Sequence, residues 1–226
     1  MKKNLIAIIA AIIVLVFSAA FAADMQETMR LAESGDADAQ FNLGAMYLNS
    51  APQNSLDDFE AKKWFLAAAE QGHPRAQMAM GMMYKTGRSG EQDFAKAAEW
   101  YRKAAEQGDA QAQENLGVLL RDGKGVAQDH AAAIEWFRKS ADQGNPDGQL
   151  NLGAAYFNGE GVPRDEVKAT ELFRLSAEGG NAIGQFNYGL MLERGIGTAQ
   201  DKAAAIEWFR KAAAQGHSGA RSKLGQ

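Results

Sequence analysis

The chain has no cysteine and only four prolines among its 226 residues. Without cysteine there are no disulfide cross-links, so a large apolar core has to hold the fold together. Acidic residues outnumber basic ones, and the formal net charge is −4. Proteins that bind nucleic acid present clustered basic surfaces to the phosphates, so this balance argues against a nucleic-acid partner. No segment alternates apolar and polar residues with a period of two, so no β-strands are expected.

The first 22 residues have the composition of a signal peptide. Lys2 and Lys3 precede an apolar run, Leu5–Phe17, and Ala20–Ala22 is a small-x-small cleavage site. We therefore expect cleavage after residue 22 and a periplasmic or secreted mature protein. The alternative is an inner-membrane anchor that keeps the segment Leu5–Ala23, since this longer run contains a single polar residue.

Two sets of glycines recur along the rest of the chain every 36 residues, or 37 in the first interval. They are Gly35, Gly72, Gly108, Gly144, Gly180 and Gly216, and Gly44, Gly81, Gly117, Gly153, Gly189 and Gly225. A fixed period of this length is the signature of a solenoid. It divides the chain into a half-repeat capping helix at 23–35, five repeats at 36–72, 73–108, 109–144, 145–180 and 181–216, and a truncated terminal repeat at 217–226.

Each repeat contains two helical patterns, here called helix A and helix B. Helix A has core positions at i, i+4 and i+8, as in Ala39, Leu43 and Tyr47. Helix B has a tryptophan in four repeats, and these residues are Trp64, Trp100, Trp136 and Trp208. An aspartate seven residues before the tryptophan or its equivalent is predicted to cap helix B, which gives Asp57, Asp93, Asp129, Asp165 and Asp201. The first repeat has one additional residue, so its A–B loop should differ.

The second set of glycines falls inside helix A, from Gly44 to Gly225. A glycine in a helix interior costs about 0.8–1 kcal/mol relative to alanine. Such a repeated loss needs a steric reason. We expect these glycines to make room for the tryptophan or phenylalanine of helix B.

The motif Ala-x-x-x-Leu-Gly-x-x-Tyr, followed by Gly-x-Gly-Val, Asp and Ala-x-x-Trp-Phe-x-x-Ala-Ala-x-x-Gly, resembles the Sel-1-like repeat family of tetratricopeptide-like solenoids. The resemblance covers residues 24–226. It implies an all-α, right-handed solenoid with helix A on the concave face, and a role in protein–protein interaction. One cysteine-rich subgroup is described as binding or hydrolysing β-lactams. This chain has no cysteine and no Ser-x-x-Lys sequence, so that activity is not carried over.

Two columns of helix A residues are candidates for binding a partner. The asparagine column consists of Asn42, Asn115, Asn151 and Asn187, and the apolar column contains Phe41, Met78, Leu150 and Phe186. An amide donates and accepts hydrogen bonds, which suits a peptide main chain. Clustered exposed apolar groups often mark an interaction site. The alternative is structural: the asparagines would bond within their repeats and the apolar residues would pack between repeats.

The sequence thus predicts a non-catalytic scaffold that binds a peptide or protein partner along helix A. No nucleophile–base pair is recognisable, and no cofactor is implied. The three histidines fall in different repeats, so no metal site is expected. Two alternatives stay open: an enzyme that hydrolyses β-lactams or cell-wall peptides, and a membrane-anchored envelope assembly factor.

Overall fold

A computed structural model describes residues 25–50 and 55–225, and these residues form helices joined by short loops. The helices are α1 (residues 25–33), α2 (Ala37–Ser50), α3 (Leu56–Glu70), α4 (Pro74–Thr86), α5 (Phe94–Glu106), α6 (Ala110–Asp122), α7 (His130–Asp142), α8 (Pro146–Asn158), α9 (Glu166–Glu178), α10 (Ala182–Arg194), α11 (Lys202–Ala214) and α12 (Ser218–Lys223). The described residues contain no strand, and the all-α prediction is confirmed.

The helices form two compact units, one ending at Gln92 and the other beginning at Asp93. In the first unit α2 packs on α3, and α3 packs on α4. In the second unit each helix from α5 to α12 packs on the next, and α8 also contacts α6 and α10. The predicted signal peptide at 1–22 lies outside the described residues, as do residues 51–54 of the first A–B loop. Within the described ranges, no helix has the length and apolar character needed to cross a membrane.

Helix caps explain most of the helix boundaries. Asp109 Oδ1 accepts a hydrogen bond from the Ala112 N–H at 2.7 Å, and Asp93 caps α5 in the same way. The prediction that Asp57 caps helix B of the first repeat is wrong. That helix begins at Leu56 with Ser55 as its cap. Ser55 supplies a capping hydroxyl two positions before Asp57, so the aspartate falls inside the first turn.

The glycines inside helix A lie against the helix B phenylalanines. A Cβ at Gly44 would lie 2.7 Å from the ring of Phe65, and a Cβ at Gly117 would lie 2.6 Å from the ring of Phe137. Gly153 and Gly189 meet Phe173 and Phe209 in the same way, and Gly81 is buried inside α4. The steric explanation therefore holds for phenylalanine.

The tryptophans play a different part from the one predicted. They are only partly buried, and lysine ammonium groups lie 3.9, 4.1 and 3.8 Å from the ring centroids of Trp100, Trp136 and Trp208. The placement of Gly225 inside a helix was also wrong. Gly225 follows the end of α12 and has a φ of 72°, a left-handed conformation that ends helices.

A buried glutamine ties each helix A to the preceding helix B, a feature that the sequence patterns did not reveal. Its side-chain N–H donates to the carbonyl oxygen eight residues earlier, and these glutamines are Gln40, Gln77, Gln113, Gln149 and Gln185. A second glutamine donates in turn to the side-chain oxygen of Gln40, Gln113 and Gln185, at 2.8, 2.8 and 2.9 Å. Gln149 lacks this second bond.

Candidate binding site on the helix A surface

Two asparagines of the column in the second unit, Asn115 and Asn151, form hydrogen bonds within the chain. Asn115 is buried, and its Nδ2 donates to the carbonyl oxygen of Gln111 at 2.9 Å. Asn151 Nδ2 donates to Glu114 Oε1 at 2.9 Å, and Asn151 Oδ1 accepts from Arg121 Nη1 at 2.9 Å. These contacts favour a structural role for the two asparagines, while their contact with a partner stays a prediction.

The other two asparagines are placed differently. Asn42 is exposed on α2 of the first unit. Asn187 is partly buried on α10 and forms no hydrogen bond with the residues that the structure describes. Its amide is therefore available to a ligand, unlike the amides of Asn115 and Asn151.

The apolar column packs largely against neighbouring hairpins. The ring of Phe41 stacks on His73 at a centroid distance of 4.9 Å, and Phe186 stacks on His217 at 4.4 Å. Leu150 packs against a buried cluster around Phe173. Met78 is partly buried on α4. These contacts account for large apolar residues at this position without a partner, although each side chain keeps some exposed surface.

An apolar cleft of about 290 Å³ opens between α8, α9 and α10. Its lining residues are Ala154, Phe157, Asn158, Phe173, Asn187, Leu190, Met191 and Arg194. Phe173 and Met191 are buried and form its floor, and Phe157 and Leu190 are partly buried beside them. The volume lies at the lower limit for small-molecule pockets and suits one large side chain of a partner.

The rim of the cleft carries polar groups with free hydrogen-bonding capacity. Arg194 is exposed at the end of α10 and forms no ion pair or hydrogen bond within the described ranges. By contrast, Arg174 in the same unit pairs with two glutamates, each at 2.6 Å. Asn158 donates to Glu160 at 3.0 Å. The unpaired amide of Asn187 and the unpaired guanidinium of Arg194 thus border the same apolar cleft.

The sequence patterns pointed to Asn187 but missed the rest of the cleft. Phe157 occupies the repeat position that Arg121 and Glu193 hold in the neighbouring repeats. An aromatic residue at a position that is charged in both neighbouring repeats was the available signal. Among the described residues, no group of three histidine, aspartate or glutamate side chains is arranged to hold a metal ion.

The sequence profile of the Sel1 repeat matches residues 37–73, 74–109, 110–145, 146–181 and 182–217. The chain is a Sel1 repeat protein. The predicted family is thereby confirmed. Sel1 repeat proteins generally mediate protein–protein interactions, and the family is typically non-catalytic. A comparison with curated proteins finds no significant match.

Solved structures share the fold. A protective antigen of uropathogenic Escherichia coli with an SLR fold is 40% identical, with a TM-score of 0.79, over 87% of this chain and 42% of its own. The present chain therefore spans less than half of that antigen. A Sel1 repeat protein from Oxalobacter formigenes is 27% identical, with a TM-score of 0.76, over 89% of each chain. An immunity protein from Pseudomonas aeruginosa is 22% identical, with a TM-score of 0.53, over 81% of this chain and 67% of its own, and this likeness shows the fold alone.

Proposed function

We propose that this Sel1 repeat protein is an exported, non-catalytic scaffold that binds a polypeptide segment of a partner protein at the cleft between α8, α9 and α10. The observation that carries the proposal is the pair of unpaired groups, Asn187 and Arg194, beside an apolar floor. Asn115 and Asn151 bond within the chain. The cleft therefore has the main role, and the other asparagines shape the surface beside it.

The chemistry of the cleft defines what the partner segment presents. An apolar side chain enters the space beside Phe157 and Leu190, and full burial of such a side chain stabilises a complex by about 1.5–3 kcal/mol. The amide of Asn187 bonds the main chain of the segment. Arg194 attracts a carboxylate near the apolar side chain, an exposed ion pair worth about 0–1 kcal/mol. One such subsite gives weak binding, so the partner contacts further repeats.

Export rests on the signal-peptide pattern at the N-terminus. N-terminal sequencing of the protein recovered from the cell envelope tests it directly. A mature start at Ala23 is the expected result. A chain that retains Leu5–Ala23 would contradict cleavage and support the anchored alternative.

Site-specific photo-crosslinking tests the cleft as a binding site. A photo-reactive amino acid replaces Asn158 on the rim or, as a control, Ile183, which is 51% exposed on the same helix as Asn187. In envelope extracts, we expect defined adducts from position 158 that disappear in the Asn187→Ala, Arg194→Ala variant. Adducts of equal intensity at both positions, or adducts unchanged in the double variant, would refute the assignment.

A further inference from the structure

A second groove lies between α10, α11 and α12, and it is called the end groove here. Its volume is about 620 Å³, and its lining residues include Glu193, Lys202, Ala205, Ile206, Phe209 and Lys223. Ile206 is 43% exposed in this groove. The residues at the same repeat position in the second unit, Ala98, Ile134 and Thr170, are 2%, 4% and 4% exposed. The surface around this position of helix B is therefore exposed in the last repeat and covered in the preceding repeats of the unit.

The closed counterpart of this groove shows what fills it. Arg121, His130, Ala133, Ile134 and Phe137 precede the end-groove residues by 72 positions, and the space they line is only about 10 Å³. Ala155 and Glu160 of the following hairpin complete that lining. The filling segment is thus the last turn of a helix A and the glycine loop after it.

The backbone of the filling segment lies so close to the preceding helix B that only glycine fits at one position. A Cβ at Gly161 would lie 2.9 Å from the carbonyl oxygen of His130, and Gly161 has a φ of 71°. In the next repeat Gly197 lies against the carbonyl of Glu166, and the Thr170 hydroxyl donates to the carbonyl oxygen of Ile196 at 2.8 Å. A larger residue at the glycine position would therefore be excluded.

We propose that the end groove binds the helix end and glycine loop of a Sel1-type repeat supplied by a partner chain. The groove continues the interface by which the repeats of the second unit already stack. Charge supports an acidic loop, because Lys202 stands where His130 lies beside Glu160. Glu193 of the wall is neutralised by Lys223 at 2.6 Å. Arg194, which borders both this groove and the Asn187 cleft, adds a second cation. This inference does not depend on the cleft at Asn187.

A synthetic peptide with the sequence of residues 151–163 is the probe, because it is the segment that covers Ile134 in the interior. The full chain is titrated with this peptide, and NMR follows the methyl groups of Ile206 and the side-chain amide of Asn187. We expect saturable shifts at Ile206 and none at Asn187. A peptide carrying Gly161→Val should not bind.

Two protein variants make the test decisive. Ile206→Asp should weaken binding about tenfold or more, since it removes apolar burial from the contact. Ile183→Asp, a change at a similarly exposed isoleucine, should leave binding unaltered. Lys202→Glu should weaken the original peptide and be rescued by a peptide carrying Glu160→Lys. Absence of saturable shifts, or binding that is indifferent to the Gly161 and Ile206 changes, would overturn the proposal, and neither result bears on the Asn187 cleft.

Discussion

Replacing Gly179 with glutamine should destabilise the protein, whereas the same replacement combined with Pro146→Ala should stabilise it. In the first, third and fifth repeats a glutamine at this position donates to the buried helix A glutamine at 2.8–2.9 Å. The fourth repeat has Gly179 instead, and Gln149 Oε1 is buried without a hydrogen-bond partner among the described residues. A buried acceptor left in this state costs about 1–3 kcal/mol.

Pro146 lies directly against Gly179. A Cβ at Gly179 would lie 2.6 Å from Cγ of the proline. Three of the four repeats that keep the glutamine have alanine at the proline position, namely Ala37, Ala110 and Ala182, whereas the second repeat combines Gln107 with Pro74. The backbone differs there, because Gln107 has a φ of −83° and Gly179 has a φ of −70°. With the backbone of Gly179 as it stands, Gly179→Gln alone places its Cβ against Pro146, a clash of about 1–3 kcal/mol. With Pro146→Ala the clash disappears and the missing bond can form, so the double variant should gain about 1–3 kcal/mol.

A double-mutant cycle measures this coupling. Urea denaturation of the parent, the two single variants and the double variant gives four free energies of unfolding. We expect an interaction free energy of at least about 1 kcal/mol, with the sign that favours the double variant. Effects that add within about 0.5 kcal/mol would refute the steric explanation. So would a single Gly179→Gln variant as stable as the double variant.

Three further predictions concern other positions. Asn151→Ala should lower stability by about 1–3 kcal/mol, because it removes one hydrogen bond from the buried Glu114 and one from the partly buried Arg121. Asn187→Ala should change stability by less than about 0.5 kcal/mol. Equal losses of stability for the two variants in urea unfolding would contradict the different roles of the two asparagines. Gly117→Ala should lower the melting temperature, since it forces a methyl group against an aromatic ring; an unchanged melting temperature would argue against close packing there. The pKa of the Asp93 carboxyl is lowered, chiefly by the hydrogen bond from the Lys96 N–H. Its capping contribution is therefore present above the unfolded-state pKa and lost as pH falls through the folded-state value. Asp93→Asn should flatten acid unfolding in that range, and an identical pH profile would count against the cap.

The repeat period and the helix caps were readable from the sequence because they depend on local chemistry. Asp93 and Asp129 cap helices where a side-chain oxygen meets the first free N–H groups. The same reasoning failed at Asp57, since Ser55 is also a good cap and a pattern does not decide between them. Local rules therefore locate a helix start to within a few residues.

The binding site was less predictable because its members depend on partners in other repeats. Asn151 and Asn187 occupy equivalent positions in their repeats. Asn151 forms hydrogen bonds with Glu114 and Arg121, which lie 37 and 30 residues earlier in the sequence, and Asn187 does not bond to either residue. The cleft likewise arises from side chains on three helices. No single helix pattern contains that information.

The most direct test of the binding proposal is the affinity of the partner identified by crosslinking at position 158. Its dissociation constant is measured by calorimetry for the parent chain, for Asn187→Ala with Arg194→Ala, and for Ile183→Ala as a control at an exposed position of the same helix. Loss of one hydrogen bond and one rim ion pair predicts about tenfold weaker binding for the double variant. The control should match the parent. Equal affinities for the parent and the double variant would contradict the assignment of the cleft.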